Sequence, residues 1–246
     1  ETFARILPRY FRSRDPVAMA ISSGLDPRAI MACLEVDPGT MPCHTFSGIQ
    51  RETLDAIIGR KVAEACGQEH EVIRLDGSFL SDFDDHAWKT VYVSDGCLNV
   101  NGSYDGYFNE RVKRISPIRM TGKFGSEVVR NNTMLRKGFS FPEGLFPPDY
   151  VERTREAAAA LEKHRSDNEL TFALFREIPW NEYGRLSVEM SKLTLRTPYM
   201  DNDLVELMYQ APPGVRGSND IILRVVEHGN PDLLRIITDR GTAGNL

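Results

Sequence analysis

Apolar positions between 17 and 130 recur in short runs separated by stretches of helical periodicity, the pattern of successive βαβ units around a mostly parallel sheet. Residues 17–21, Val-Ala-Met-Ala-Ile, read as a buried strand, with further strands expected at 41–46, 71–75 and 117–120. Asp26-Pro27 opens a helix expected to reach Glu35, because proline at the first helical position gives up an N–H that has no partner there anyway. Leu54, Ile57, Ile58, Val62 and Ala65 fall on one helix face and leave Arg60, Lys61 and Glu64 outside. After Gly138 the texture changes to a loop with Pro142, Pro147 and Pro148, then to helices alone at 151–163, 168–178, 183–193, 203–209 and 219–228. A run of four alanines favours the first of these, and Leu186, Met190 and Leu193 mark one face of the third. The expected organisation is an α/β core over 1–138 followed by a helical lobe over 139–246, packed as one domain.

Composition narrows the class. The 246 residues are 41% hydrophobic and 26% charged, which suits a folded domain and excludes a disordered tail, a collagenous rod or a coiled coil. Thirty basic side chains against 35 acidic ones give a net charge of -5, and the densest basic cluster is Arg111-Val112-Lys113-Arg114, so nucleic acid is not the expected partner. Apolar stretches stop far short of the roughly 18 to 20 residues that cross a bilayer, so a soluble chain without a membrane partner is expected. Residues 1–7 read as an amphipathic helix rather than a signal peptide, and the sequence is expected to be a piece of a longer protein. Cys33, Cys43, Cys66 and Cys97 lie far apart, with no zinc-ligand spacing, and point to reduced thiols in the cytoplasm.

Candidate chemistry centres on Ile21-Ser22-Ser23-Gly24-Leu25-Asp26-Pro27-Arg28, a small polar turn between a buried strand and a helix. Such a turn aims backbone N–H groups and the positive end of a helix dipole at an anion. Gly24 permits close backbone approach or a positive φ, and Ser22 and Ser23 add hydroxyl donors. Asp26 would repel phosphate unless a divalent cation sat between them, which is a magnesium-nucleotide arrangement. The plain alternative is a serine cap followed by an acid in the first turn, with no ligand at all.

These residues resemble the SGGLDSR pyrophosphate-binding loop of asparagine synthetases and the related PP-loop ATP pyrophosphatases, with Ser22, Gly24, Leu25, Asp26 and Arg28 matching. The likeness continues in order through His44-Thr45-Phe46-Ser47-Gly48, Arg60-Lys61-Val62-Ala63 and Thr121-Gly122-Lys123-Phe124-Gly125-Ser126-Glu127, the last similar to the family's GEGGDE or GEGSDE loop. Arg196-Thr197-Pro198-Tyr199-Met200-Asp201 is similar to the RxPFLD segment, and Ile236-Ile237-Thr238-Asp239-Arg240-Gly241 to the C-terminal stretch.

The resemblance implies a three-layer, Rossmann-like fold of the adenine nucleotide alpha hydrolase kind that binds ATP and Mg²⁺. It implies adenylation of a small-molecule carboxylate with release of pyrophosphate, then attack by ammonia or another amine. Ser22, Ser23, Gly24, Leu25, Thr45, Phe46, Ser47, Thr121, Gly122 and Gly125 are the nucleotide- and pyrophosphate-binding positions so implied. Asp26, Glu127 and Lys123 are the catalytic ones, with Asp26 also the metal ligand. A glutaminase domain ahead of Glu1 would supply ammonia, and self-association is left open.

The sequence departs from that pattern at five places. Ser23 and Pro27 replace a glycine and a serine, Lys123 and Ser126 replace the first acid and the aspartate of the second loop, and no lysine opens the late helix at Gly217-Ser218-Asn219-Asp220. Lys123 is expected to supply the missing phosphate-facing cation, with Arg130 and Arg224 as other candidates. The departures keep a second expectation alive: a degenerate domain that binds nucleotide or a partner without completing amide synthesis. A PP-loop enzyme acting on tRNA is disfavoured by the acidic charge. Asp82, Asp84, Asp85 and His86 read as a solvated helix face, and Ser94-Asp95-Gly96 reads as a turn with Asp95 a candidate to point into the substrate cleft. Cys97 has no neighbouring base to make it a nucleophile, His44 is expected to hold a structural hydrogen bond, and Arg196 with Asp201 is expected to brace the lobe junction as a bidentate pair.

Overall fold

The computed structural model describes residues 1–135, 144–165, 168–212 and 214–241, so the expected boundary at 138/139 and Pro142 lie outside the described residues. The chain opens with α1 (Thr2–Phe11), then β1 (Val17–Ala20), α2 (Leu25–Cys33), β2 (Cys43–Ser47), α3 (Leu54–Ala65) and β3 (His70–Arg74). It continues through α4 (Gly77–Ser81), α5 (Phe83–Val93), α6 (Ser103–Ile115), β4 (Ile118–Met120), α7 (Gly125–Arg130) and α8 (Pro148–Glu162). The last elements are α9 (Glu169–Phe172), α10 (Ile178–Met190), β5 (Thr194–Arg196), α11 (Asn202–Gln210) and α12 (Asp220–Gly229). The five strands form one all-parallel sheet in the order β3-β2-β1-β4-β5, an α/β arrangement of the Rossmann-like kind.

The sheet is covered on both faces because its strands alternate. Thr45 and Phe46 are neighbours in β2 and point oppositely. Thr45 meets α3 at Gly59, whereas Phe46 stacks on Phe108 of α6 with ring centroids 4.4 Å apart. The larger core joins Met19, Ile30, Ile58, Met120, Leu204 and Val226 from β1, α2, α3, β4, α11 and α12, and the smaller joins Ile73, Phe79, Phe108 and Leu193. Gly229 lets α12 lie directly on α2, since a Cβ there would stand 2.4 Å from the Ala32 carbonyl oxygen.

Several expectations are corrected. The part expected to be helical only contributes β5, which pairs with β4 from Ile118↔Thr194 to Met120↔Arg196, so the second half of the chain completes the sheet. A three-residue strand lacks the length to show a period. The face of α3 is rotated: Leu54 and Ile57 are exposed, and the sheet is met by Ala56, Gly59, Val62 and Ala63 with Ile58. The reason is space, because a Cβ at Gly59 would come within 2.6 Å of Thr45 Oγ1. The helices expected at 168–178 and 183–193 are one run, α9 passing through a π-helical turn at Ala173–Glu177 into α10. Pro179, in the first turn of α10, has no N–H to give the regular ladder, and the wider turn precedes it. On α10 the buried positions include Gly184, Val188 and Glu189, not Met190.

Candidate functional site

The strand order turns back between β1 and β4, and the loops leaving their carboxyl ends flank a crevice of the sort in which open α/β sheets bind ligands. A cleft of about 310 Å³ lies there, lined by Ser22, Gly24 and Asp26 from the first loop, Thr121, Gly122 and Lys123 from the second, and Thr45 and Phe46 at the end of β2. The two loops touch because they carry glycine where they meet. A Cβ at Gly122 would lie 2.7 Å from Pro27 N, and one at Gly125 would lie 2.5 Å from Asp26 Cγ.

Not every expected residue faces the cleft. Ser22 does, and its Oγ accepts from Gly24 N at 3.2 Å. Ser23 is buried and turned away: its N–H and Oγ both donate to Asp55 Oδ1, at 2.9 and 2.5 Å, because the carboxylate on α3 is the nearer acceptor. Gly24 caps α2 in extended conformation with φ -72°, so its value is small size beside the cleft and not a positive φ. Leu25 is core. Thr45 donates to the Ile21 carbonyl at 2.6 Å, which ties the first loop to β2. Ser47 is buried below the rim and holds the β2–α3 connection through Thr53 N and the Arg51 carbonyl. Thr121 Oγ1 accepts from Lys123 N at 3.3 Å.

The three expected catalytic residues have distinct settings. Lys123 reaches the cleft but its Nζ lies 3.0 Å from Glu182 Oε2 and 3.5 Å from Glu189 Oε1, so α10 neutralises it. Glu127, on α7, does not line the cleft; burial pushes its carboxyl up to about 7, with the charge of Asp26 adding to the rise. Asp26 is raised by burial, against which Arg130 and Ser126 act. Arg130 Nη2 is 2.5 Å from Asp26 Oδ2 and 2.6 Å from Ser126 Oγ, and Ser126 Oγ donates to the same carboxylate oxygen at 3.2 Å.

Mg²⁺ is the metal that the resemblance implies at Asp26, and the donor set was weighed on that carboxylate. Oδ2 already carries a guanidinium. Oδ1 is buried without a hydrogen-bond partner, but it is pressed against Gly125, where even a methyl group would be 2.6 Å away. Ser126 stands where a second carboxylate would be needed, and among the described residues no group of three metal-binding side chains gathers. Asp26 as it stands in this structure is held by Arg130, and a divalent ion on Oδ2 would have to displace that guanidinium.

One residue that no motif picks out is also here. Arg119 lines the cleft from mid-β4, buried, with Nη1 on Asn109 Oδ1 at 2.9 Å, Glu189 at 3.7 Å and its guanidinium 4.8 Å above the Phe46 ring. An arginine inside a strand otherwise apolar was the available signal. His44 also lines the cleft, fully buried with both ring nitrogens unpartnered, and burial holds it neutral. Arg28 is buried outside the cleft and donates to the carbonyls of Leu233, Ile236 and Ile237, so the first loop and the C-terminal stretch are one structure. Arg196 and Asp201 do not pair with each other. Arg196 donates to the carbonyls of Tyr10 and Arg12, and Asp201 accepts from Tyr10 Oη, so both clasp the end of α1. Asp85 pairs with Lys89, His86 stacks on Phe79, and Asp95 takes the Tyr183 hydroxyl. Among the described residues no helix is long and apolar enough to cross a membrane.

No protein-family model and no curated protein matches the chain.

Proposed function

We propose that the chain is the ATP-binding, amide-forming synthetase domain of a PP-loop protein similar to asparagine synthetases. The observation that carries the reading is the meeting of the β1 and β4 loops around one cleft, with Gly122 and Gly125 at the contacts. The nucleoside part lies against Thr45, Phe46 and Gly122, and the phosphates face Ser22, Gly24 and the amino end of α2, where free N–H groups favour negative charge. Arg119 and Lys123 line the other side of the cleft, each paired with a glutamate of α10, Arg119 with Glu189 and Lys123 with Glu182 and Glu189.

In the proposed reaction an oxygen of a small-molecule carboxylate attacks the α-phosphorus of ATP, and the bond to pyrophosphate breaks. Ammonia or another amine then attacks the acyl carbon, loses a proton, and displaces AMP to leave an amide. Positioning of the two reactants and stabilisation of charge on the departing pyrophosphate are what the loop contributes. Ammonia delivery by a glutaminase domain and a cytoplasmic setting, which suits four free thiols, belong to the same proposal.

A second reading, nucleotide binding without amide synthesis, is favoured by one observation: the charge of Lys123 is already spent on two glutamates. Pyrophosphate release from ATP, measured over a panel of carboxylates with ammonium present, separates the two. Release that depends on the carboxylate supports the synthetase; calorimetric binding of ATP with no release for any acid supports the second reading. No binding at all ends both.

A further inference from the structure

We propose that Arg130 takes the place of a divalent cation beside Asp26, so that this chain binds the polyphosphate of its nucleotide without metal. The inference rests on the reading of the cleft as a nucleotide site. A carboxylate in the first turn of α2 faces the same end of the helix that attracts an anion, and some cation must offset it before phosphate can approach. Arg130 is that cation. Its Nη2 closes a triangle with Asp26 Oδ2 and Ser126 Oγ, with sides of 2.5, 2.6 and 3.2 Å, and a metal on that oxygen would have to expel it.

The guanidinium still has capacity for an anion. It carries five N–H donors in a planar fork, of which Asp26, Ser126 and Asn219 take three. Nη1 reaches Asn219 Oδ1 at 3.2 Å, at the start of α12, so one arginine joins the first loop, the second loop and the helix that carries no lysine at its start. On its other side Arg130 opens onto a polar cavity of about 490 Å³ that also holds Arg240 and Ser218. Asp26 lines the cleft and Arg130 lines this cavity, so the ion pair forms the wall between them. A phosphate chain leaving the cleft past Asp26 meets a guanidinium already fixed in place by Asp26, Ser126 and Asn219, a permanent positive charge that needs no metal.

The test is calorimetric titration of the whole chain with ATP, once in excess EDTA and once in excess magnesium chloride. The expected result is affinity in EDTA equal to or tighter than with magnesium, within about threefold. Binding that weakens by about tenfold or more in EDTA overturns the proposal and leaves the nucleotide reading intact. Absence of binding in both conditions overturns the nucleotide reading and this proposal with it. Arg130→Met is expected to weaken ATP binding in EDTA by about tenfold, the loss of one charge-assisted contact, with Arg130→Lys falling between it and the parent. The double variant Arg130→Met/Asp26→Asn removes the buried charge along with its partner and guards against simple unfolding. Recovery of ATP binding by the folded double variant is expected, because no carboxylate charge is left to offset; if Arg130→Met alone binds ATP in EDTA as the parent does, the assignment of Arg130 is wrong.

Discussion

Phe124 holds the second loop in shape at a cost. Its φ of 70° lies in the left-handed region, where a side chain with a Cβ is strained, yet it packs against the larger core and sits between two glycines that lie on Asp26 and Pro27. Conformation and contact can be separated by comparing two truncations, since neither Phe124→Gly nor Phe124→Ala keeps the ring. Phe124→Gly is expected to be the more stable of the pair by about 1 kcal/mol in urea unfolding, because only alanine retains the strain. Equal stability would show that the loop relaxes away from positive φ once the ring is gone. Ser22, Gly24, Asp26 and Gly122 were legible because small, polar and turn-forming residues stand out against an apolar strand. Ser23 was misread since nothing local reveals that Asp55, 32 positions later, claims both its donors. Arg119 was invisible for the opposite reason, since an arginine in a strand has no spacing that announces a buried partner, and Arg130 was legible as a candidate cation but not as the partner of Asp26.

Elements were read well where a period is long and poorly where a tertiary contact decides. β1 and α2 follow from their apolar run and proline, while β5 exists because β4 has a free edge and α10 delivers three residues to it. The buried face of α10 includes a glutamate, a choice set by Arg119 waiting opposite and not by hydrophobicity. The link between α2 and the C-terminal stretch belongs to this scale as well. Arg28 donates to three carbonyls of the C-terminal stretch, at 3.0 Å to Leu233, which also accepts from Ile236 N, at 2.5 Å to Ile236 and at 3.0 Å to Ile237. Arg28→Met is expected to lower stability by about 3 kcal/mol, the order of losing several buried hydrogen bonds to a charged group, in part relieved as the tail moves into water. Trypsin should then cut after Arg235 and Arg240 faster than in the parent while α3 and α6 stay protected. A uniform rise in cleavage along the chain would mean that Arg28 supports the whole fold and not this junction.

Buried ionisable groups give the whole molecule two opposing pH slopes. Burial lowers His70 from 6.5 to about 4 and also lowers His44 well below 6.5, so their contribution is complete above pH 6.5 and is lost as pH falls through the lowered values. Burial raises Glu127 from 4.5 to about 7 and Asp105 from 3.8 to about 6; for these the contribution is complete below the lower value and is lost as pH rises through the higher. Between pH 4 and 7 the histidines gain as the carboxylates lose, which flattens the stability profile across that range. Above pH 7 the histidines have nothing more to add, while Glu127 stands ionised beside Asp26 in a poorly solvated place. Glu127→Gln removes that charge without removing volume. Thermal unfolding of both proteins at pH 5, 6, 7 and 8 is expected to show no gain near pH 5 and a gain of about 2 kcal/mol at pH 8. A gain that is the same at pH 5 and pH 8 would mean that packing around the amide, not ionisation of Glu127, sets the difference.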